Sequence, residues 1–226
     1  MRAALAFLTP LGGAREPSPR ALAWFPVVGA LIGSGVGGAW WVGTEVWNPL
    51  VGAALAVAAD LALTGMLHVD GLADSADGLL PHLPSRERRL EVMRQPDVGA
   101  FGVAAVVGVL LVELAAFTAM KPNVVLVVLI WAITRGEAAV VMGTMRYART
   151  GGLASAFIGR SWVAETMMVM LLVSAAWIDV WAVIGAAGAM VAMVSFAKRR
   201  VGGYTGDVLG AAIVVAQTVA LLAAAA

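Results

Sequence analysis

The stretch from Val51 to Leu79, VGAALAVAADLALTGMLHVDGLADSADGL, decides the fold. Its first half is almost wholly apolar, and its second half sets Asp70, Asp74 and Asp77 at i, i+4 and i+7, one face of a helix. An apolar segment that runs directly into three carboxylates fits a chain that crosses a bilayer and keeps its polar chemistry at the edge.

The rest of the chain agrees. Of its 226 residues 61% are hydrophobic and 13% charged, with a mean hydropathy of +0.90, which excludes an ordinary soluble domain. Windows of about 20 apolar residues predict roughly seven membrane spans, near 25–47, 50–67, 101–120, 123–142, 162–178, 181–197 and 208–225. The expected fold is an all-α integral membrane bundle, one polytopic domain over residues 1–226. The start, MRAALAFLTPLGGAREPSPR, has its short apolar run broken by Thr9-Pro10 and is read as mature sequence. Cysteine is absent, so any metal must be held by oxygen or imidazole.

Orientation follows from the basic residues. All 15 Lys and Arg except Lys121 and Arg135 fall in the stretch before the first span or in the loops after the second, fourth and sixth. The positive-inside rule puts that face, and the N-terminus, in the cytoplasm and the C-terminus outside the cell (inner) membrane. The polar motifs HVDGLADSADG, MRQPDVGAFG, YARTGGLASAFIGR and GGYTGDVLG share that face, so an active site built from cytoplasmic-side loops is expected.

Three like charges on one helical face repel unless a cation or basic groups neutralise them. Hard oxygen donors without Cys favour Mg²⁺, and Asp70, Asp74 and Asp77 are the candidate ligands. His68 is a candidate proton shuttle, and Gly71 and Gly78 would let a substrate approach the backbone. The alternative is a solvated helix end paired with nearby arginines. Arg135, inside the fourth predicted span, either meets an anionic substrate or pairs with Asp60, Glu113 or Glu137. Thr205 and Asp207 could present ligands to a phosphate or metal, or simply form a turn and helix cap. Arg94 and Arg146 complete the candidate anion contacts, with Arg86, Arg88 and Arg89 adding local positive charge that lipid headgroups would equally explain. The glycine-rich GALIGSGVGG of the first span suits close helix packing rather than phosphate binding.

Taken together, HVDGLADSADGL, RLEVMRQPDVGAFGV, TRGEAAVVM through YARTGGLASAFIGR, and KRRVGGYTGDVLGAA resemble the cobalamin synthase family, the adenosylcobinamide-GDP ribazoletransferases. LAFLTP and WFPVVGALIG fit as well, so the likeness spans nearly the whole chain. The resemblance implies a Mg²⁺-dependent membrane transferase that joins adenosylcobinamide-GDP to α-ribazole or its 5′-phosphate and releases GMP. One Asp of the set, or His68, would take the hydroxyl proton, and Arg135 with the 198–207 loop would clamp phosphates. The resemblance admits a homo-oligomer or a complex with other late cobalamin-pathway enzymes; no nucleic-acid partner is expected. The chain departs from the family pattern at MRQPD, with Gln95 in an acidic place and Asp97 in a basic one. It departs again in the last span, where Val214 and Gln217 replace two glutamates. The rival classes are a CDP-alcohol phosphotransferase, whose distant Asp pair is missing here, and a transporter with Arg135, Glu137 and Asp60 along an intramembrane path.

Overall fold

Four of the long helices start on caps that the sequence writes locally. Asn48, Asn123, Asp179 and Thr205 each accept, on a side-chain oxygen, a backbone N–H three residues on, at 3.0, 3.1, 2.9 and 3.2 Å. They open α3 (Pro49–Thr64), α7 (Val124–Thr144), α9 (Val180–Val201) and α10 (Gly206–Ala224). The other helices are α1 (Arg2–Leu8), α2 (Phe25–Val46), α4 (Leu67–Leu79), α5 (Arg86–Val92), α6 (Ala100–Ala119) and α8 (Trp162–Ala176). The structure is a computed structural model and describes residues 1–13, 18–149 and 162–226. Among these there is no β-strand, only one isolated parallel bridge between Tyr147 and Tyr204.

Among the described residues five helices are long and apolar enough to cross a membrane, or six if α3 and α4 form one bent span. Five of the seven expected spans are therefore met outright, and the one at 50–67 only together with α4. Two physical reasons account for the difference. The helix at 162–176 has 15 described residues, about 22 Å at ~1.5 Å per residue, short of a ~30 Å hydrocarbon core. The second predicted span, placed at 50–67, ends at Thr64, and the chain turns through 89° into α4. Gly65 and Met66 make that turn with φ of 59° and 60°. The left-handed conformation is natural for glycine and uncommon for methionine, whose unbranched Cβ tolerates it at some cost.

α7 and α10 form the centre of the bundle, each 67% buried along its span, whereas α6 and α9 are 22% and 28% buried and present their apolar sides outward. α2 and α7 approach closely because glycine recurs at every fourth position. A Cβ on Gly29 would overlap the carbonyl of Trp131; one on Gly33 would lie 2.9 Å from Val128 Cα, and one on Gly37 3.1 Å from Val124 Cγ1. The glycine-rich stretch is thus a packing surface. Trp40 and Trp131 fill the space beside it, each packed on Phe117 with ring centroids 4.9 and 6.3 Å apart.

Candidate active site

The turn at Gly65-Met66 lays α4 against α10. His68 lies opposite Gly210, where a Cβ would be 3.2 Å from His68 Cα, and Gly71 lies opposite Asp207, where a Cβ would be 2.7 Å from the Asp207 carbonyl. The paired positions rise along α4 and fall along α10, so the two helices run antiparallel and bring Asp207 beside the aspartate face. Gly71 and Gly78, expected to admit substrate, are filled instead by protein: Gly71 by Asp207 and Gly78 by Met93 and the carbonyl of Arg89. The cause is the close crossing of α4 with α10 and α5.

The three aspartates do not share one role. Asp70 is exposed and Asp74 is half-buried, with Asp207, Asp70, Asp77 and Arg149 as its charged neighbours. Asp77 reaches the start of α6, accepting the amide of Gly99 at 2.7 Å and that of Gly102 at 2.9 Å. It works as a cap supplied from another helix. Among the described residues no three His, Asp or Glu side chains are arranged to hold a metal ion. Both oxygens of Asp77 are engaged by amides, which sets it apart from Asp70 and Asp74.

A pair of loops completes this end of the bundle. Ala148 donates its amide to Tyr204 O at 2.8 Å and Tyr204 donates to Arg146 O at 3.1 Å, while the two tyrosine rings meet edge-on at 5.3 Å. Burial pushes the phenol of Tyr147 up, and that of Tyr204 up to about 12 with Tyr147 adding to it, so neither is a proton acceptor near neutral pH. Tyr204 leads directly to Thr205, whose hydroxyl accepts from Val208 N and donates to Asp207 Oδ2 at 3.3 Å. From the other strand of the bridge Arg149 reaches Asp207 with Nη2 to Oδ2 at 2.7 Å. Its Nη2 also donates to Met93 O at 3.4 Å, and its Nε is buried with no hydrogen-bond partner among the described residues.

The arginines that looked alike in sequence separate in space. Arg89 is buried and donates to the carbonyls of Gly78, Leu79, Pro81 and Leu83, closing the end of α4. Arg86 donates to Ala148 O at 2.8 Å, and Arg88 pairs with Glu91. Arg94 and Arg146 are exposed. The motif YARTGGLASAFIGR is described only as far as Arg149; its remainder, including Arg160, lies outside the described residues, as does Arg15. Arg149, counted from sequence only as a marker of orientation, is the arginine that meets the acidic face. Its sequence neighbour Tyr147 and the matching Tyr204 were the sole hint, as two aromatic turns of similar make-up.

The second polar region lies deep in the bundle. Trp131 Nε1 donates to Asp60 Oδ1 at 2.6 Å, and Arg135 Nη2 stands 3.7 Å from the same oxygen. Arg135 Nη1 donates to Gln217 Oε1 at 2.7 Å; the Gln217 amide donates to Asp60 at 3.3 Å and to Glu113 at 3.2 Å, where Thr218 also donates at 2.8 Å. Arg135 Nη2 lies 3.5 Å from His68 Nδ1. Guanidinium can only donate, so that contact requires Nδ1 to accept and the ring proton to sit on Nε2. Arg135 is completely buried and engaged by Asp60 and Gln217, the ion-pair alternative. His68, two residues and ~200° of helical turn from Asp70, points into this network rather than to the aspartate face. Among the described residues, Glu137 is not one of this network's hydrogen-bond partners.

These features define a multi-pass membrane protein with an acidic, arginine-bearing site at one end of a helical bundle, a donor set suited to phosphate esters. The chain belongs to the cobalamin-5-phosphate synthase family, which it matches over residues 1–225. A Shigella boydii serotype 4 (strain Sb227) protein named adenosylcobinamide-GDP ribazoletransferase is 36% identical over 220 residues, covering 92% of this chain and 88% of its own length. A protein of the same name from Citrobacter koseri is 35% identical with the same coverage. No solved structure matches the chain.

Proposed function

We infer that this chain is a membrane transferase of coenzyme B12 assembly that joins adenosylcobinamide-GDP to α-ribazole or its 5′-phosphate and releases GMP. Beside the family membership, the observation that carries this reading is the meeting of α4 with the turn before α10. That crossing gathers Asp70, Asp74, Asp207 and Arg149 at one end of the bundle.

The nucleoside hydroxyl attacks the phosphorus nearest the cobinamide; one O–P bond forms, and the bridging O–P bond breaks to release GMP. Asp70 and Asp74 fit Mg²⁺, since the ion needs only one or two carboxylates and fills its other positions with water and phosphate oxygens. Bound there, Mg²⁺ would neutralise charge developing on the leaving phosphate. Asp207 takes the hydroxyl proton, being set apart from Asp70 across the α4–α10 crossing. Thr205 holds Asp207 in place, and Asp77 fixes the start of α6 beside the site. Arg94 and Arg146, exposed at the same end, attract the diphosphate. This end faces the cytoplasm of the inner membrane, with seven crossings in all, the N-terminus inside and the C-terminus outside.

The test is GMP release from adenosylcobinamide-GDP by the purified, detergent-solubilised protein, with and without α-ribazole 5′-phosphate and with Mg²⁺ or EDTA. Release that needs both nucleoside and metal, with a cobalamin product on chromatography, is expected. Absence of release from folded protein overturns the reading.

A further inference from the structure

Arg149 differs from Arg89 and Arg135 in being held by few partners at the edge of the bundle. Arg89 spends its guanidinium on four carbonyls, and Arg135 is tied to Asp60 and Gln217. Arg149 sends one nitrogen, Nη2, to both Asp207 and Met93 O; its Nε, like that of Arg135, is buried without a hydrogen-bond partner among the described residues, but the Arg135 side chain is wholly enclosed. The Arg149 side chain is 12% exposed and that of Asp207 23%. The ion pair is thus at the border of the site, open on one side. A desolvated donor without an acceptor is unfavourable, and a planar fork with unused N–H groups matches phosphate oxygens in geometry as well as charge.

The backbone beside Arg149 is fixed at both polar groups of Ala148. Ala148 is held through its amide by Tyr204 O and through its carbonyl by Arg86 Nη2, both at 2.8 Å. The guanidinium is also a charged neighbour of Asp74. A phosphate ester brought to Asp70 and Asp74 therefore arrives within reach of this cation.

We propose that Arg149 is a substrate ligand that binds a phosphate of the nucleoside diphosphate ester by exchanging Asp207 for a phosphate oxygen. The proposal rests on the transferase reading above. The exchange releases Asp207 to accept the hydroxyl proton when the diphosphate is in place, so that the Arg149–Asp207 contact belongs to the substrate-free protein. Asp207 and phosphate then compete for one guanidinium, which makes a prediction that simple charge repulsion does not.

The experiment measures GMP binding to the full-length, detergent-purified protein in EDTA by calorimetry, for the wild type, Asp207→Asn, Arg149→Gln, the double variant and Asp70→Asn. Loss of the competitor in Asp207→Asn should tighten GMP roughly tenfold, the worth of one charge-assisted hydrogen bond. Arg149→Gln should weaken it by about as much, and the double variant should bind like Arg149→Gln alone, because the gain acts through the arginine. Asp70→Asn, which removes an equal charge without contacting Arg149, should tighten binding less than Asp207→Asn. The double variant leaves no unpaired charge and so guards against misfolding of Arg149→Gln. Tightening by Asp207→Asn that persists in the Arg149→Gln background, or GMP binding indifferent to Arg149→Gln, overturns the proposal. Wild-type turnover distinguishes the two readings: GMP release with arginine-independent binding removes the ligand role and leaves the transferase intact. Arginine-dependent binding without any GMP release supports the ligand role and removes the transferase.

Discussion

The molecule holds two clusters of nearly the same composition. Asp60, Glu113 and Arg135 lie deep in the bundle, and Asp74, Asp207 and Arg149 lie at its end. In the first, Trp131, Gln217 and Thr218 supply the donors and acceptors that the charged groups lack among themselves. In the second, Asp70 is exposed and the Arg149–Asp207 pair is partly open, its side chains 12% and 23% accessible against 0% and 7% for Arg135 and Asp60. Residue type does not separate a structural cluster from a site. Access does, because each cluster has an arginine Nε without a hydrogen-bond partner among the described residues, and a ligand can reach only the open one.

The comparison can be broken at either end. The largest effect is expected for Arg135→Met, which leaves two buried acids without their cation and should cost about 3–5 kcal/mol of stability, read as a lower thermal midpoint in detergent. A variant of normal stability with only a raised KM would move Arg135 into the site. Next comes Asp74→Asn, which changes charge with little change of volume. Turnover should fall by about 100-fold, in the range of a lost electrostatic contact, while insertion and thermal midpoint hold; unchanged GMP release at limiting Mg²⁺ removes Asp74 from the metal assignment.

Two smaller changes sharpen the boundary between the clusters. Gly71→Ala adds a Cβ 2.7 Å from the Asp207 carbonyl, so α4 and α10 must separate, at about 1–3 kcal/mol for overpacking. Because that shift moves Asp74 away from Asp207, kcat should fall at least as much as stability does; equal activity would mean that the crossing does not set the site. Asp77→Ala removes the cap on α6 and should cost ~1 kcal/mol. If Asp77 instead holds the metal, the variant will show an increased Mg²⁺ requirement at unaltered stability.

Much of this architecture was legible in the chain. The apolar segments and the i, i+4 spacing of Asp70 and Asp74 are local features, read from neighbours a few residues away. The prediction of an ion pair between Arg135 and Asp60 was among the alternatives because a charge in a bilayer needs a partner. Which partner it takes depends on residues far along the chain: Gln217 is 82 residues from Arg135, and it bridges to Glu113, 104 residues from Gln217 itself. The roles of Arg89, Arg149 and Asp77 were equally hidden. Each reads as an ordinary charge until α4 turns at Met66 and meets α5, α6 and α10.

By itself the sequence determined that this is a helical membrane protein with an acidic helix at the edge of an apolar run, and its motifs pointed to the family. Hydropathy and helical periodicity are properties of a segment, so they survive without knowledge of the fold. Only the tertiary structure decided that Arg135 and His68 belong to a closed internal network while Arg149 and Asp207 join Asp74 at the site. Satisfaction of a polar group is a property of its three-dimensional neighbours, and those were chosen by an 89° turn and a glycine-mediated helix crossing.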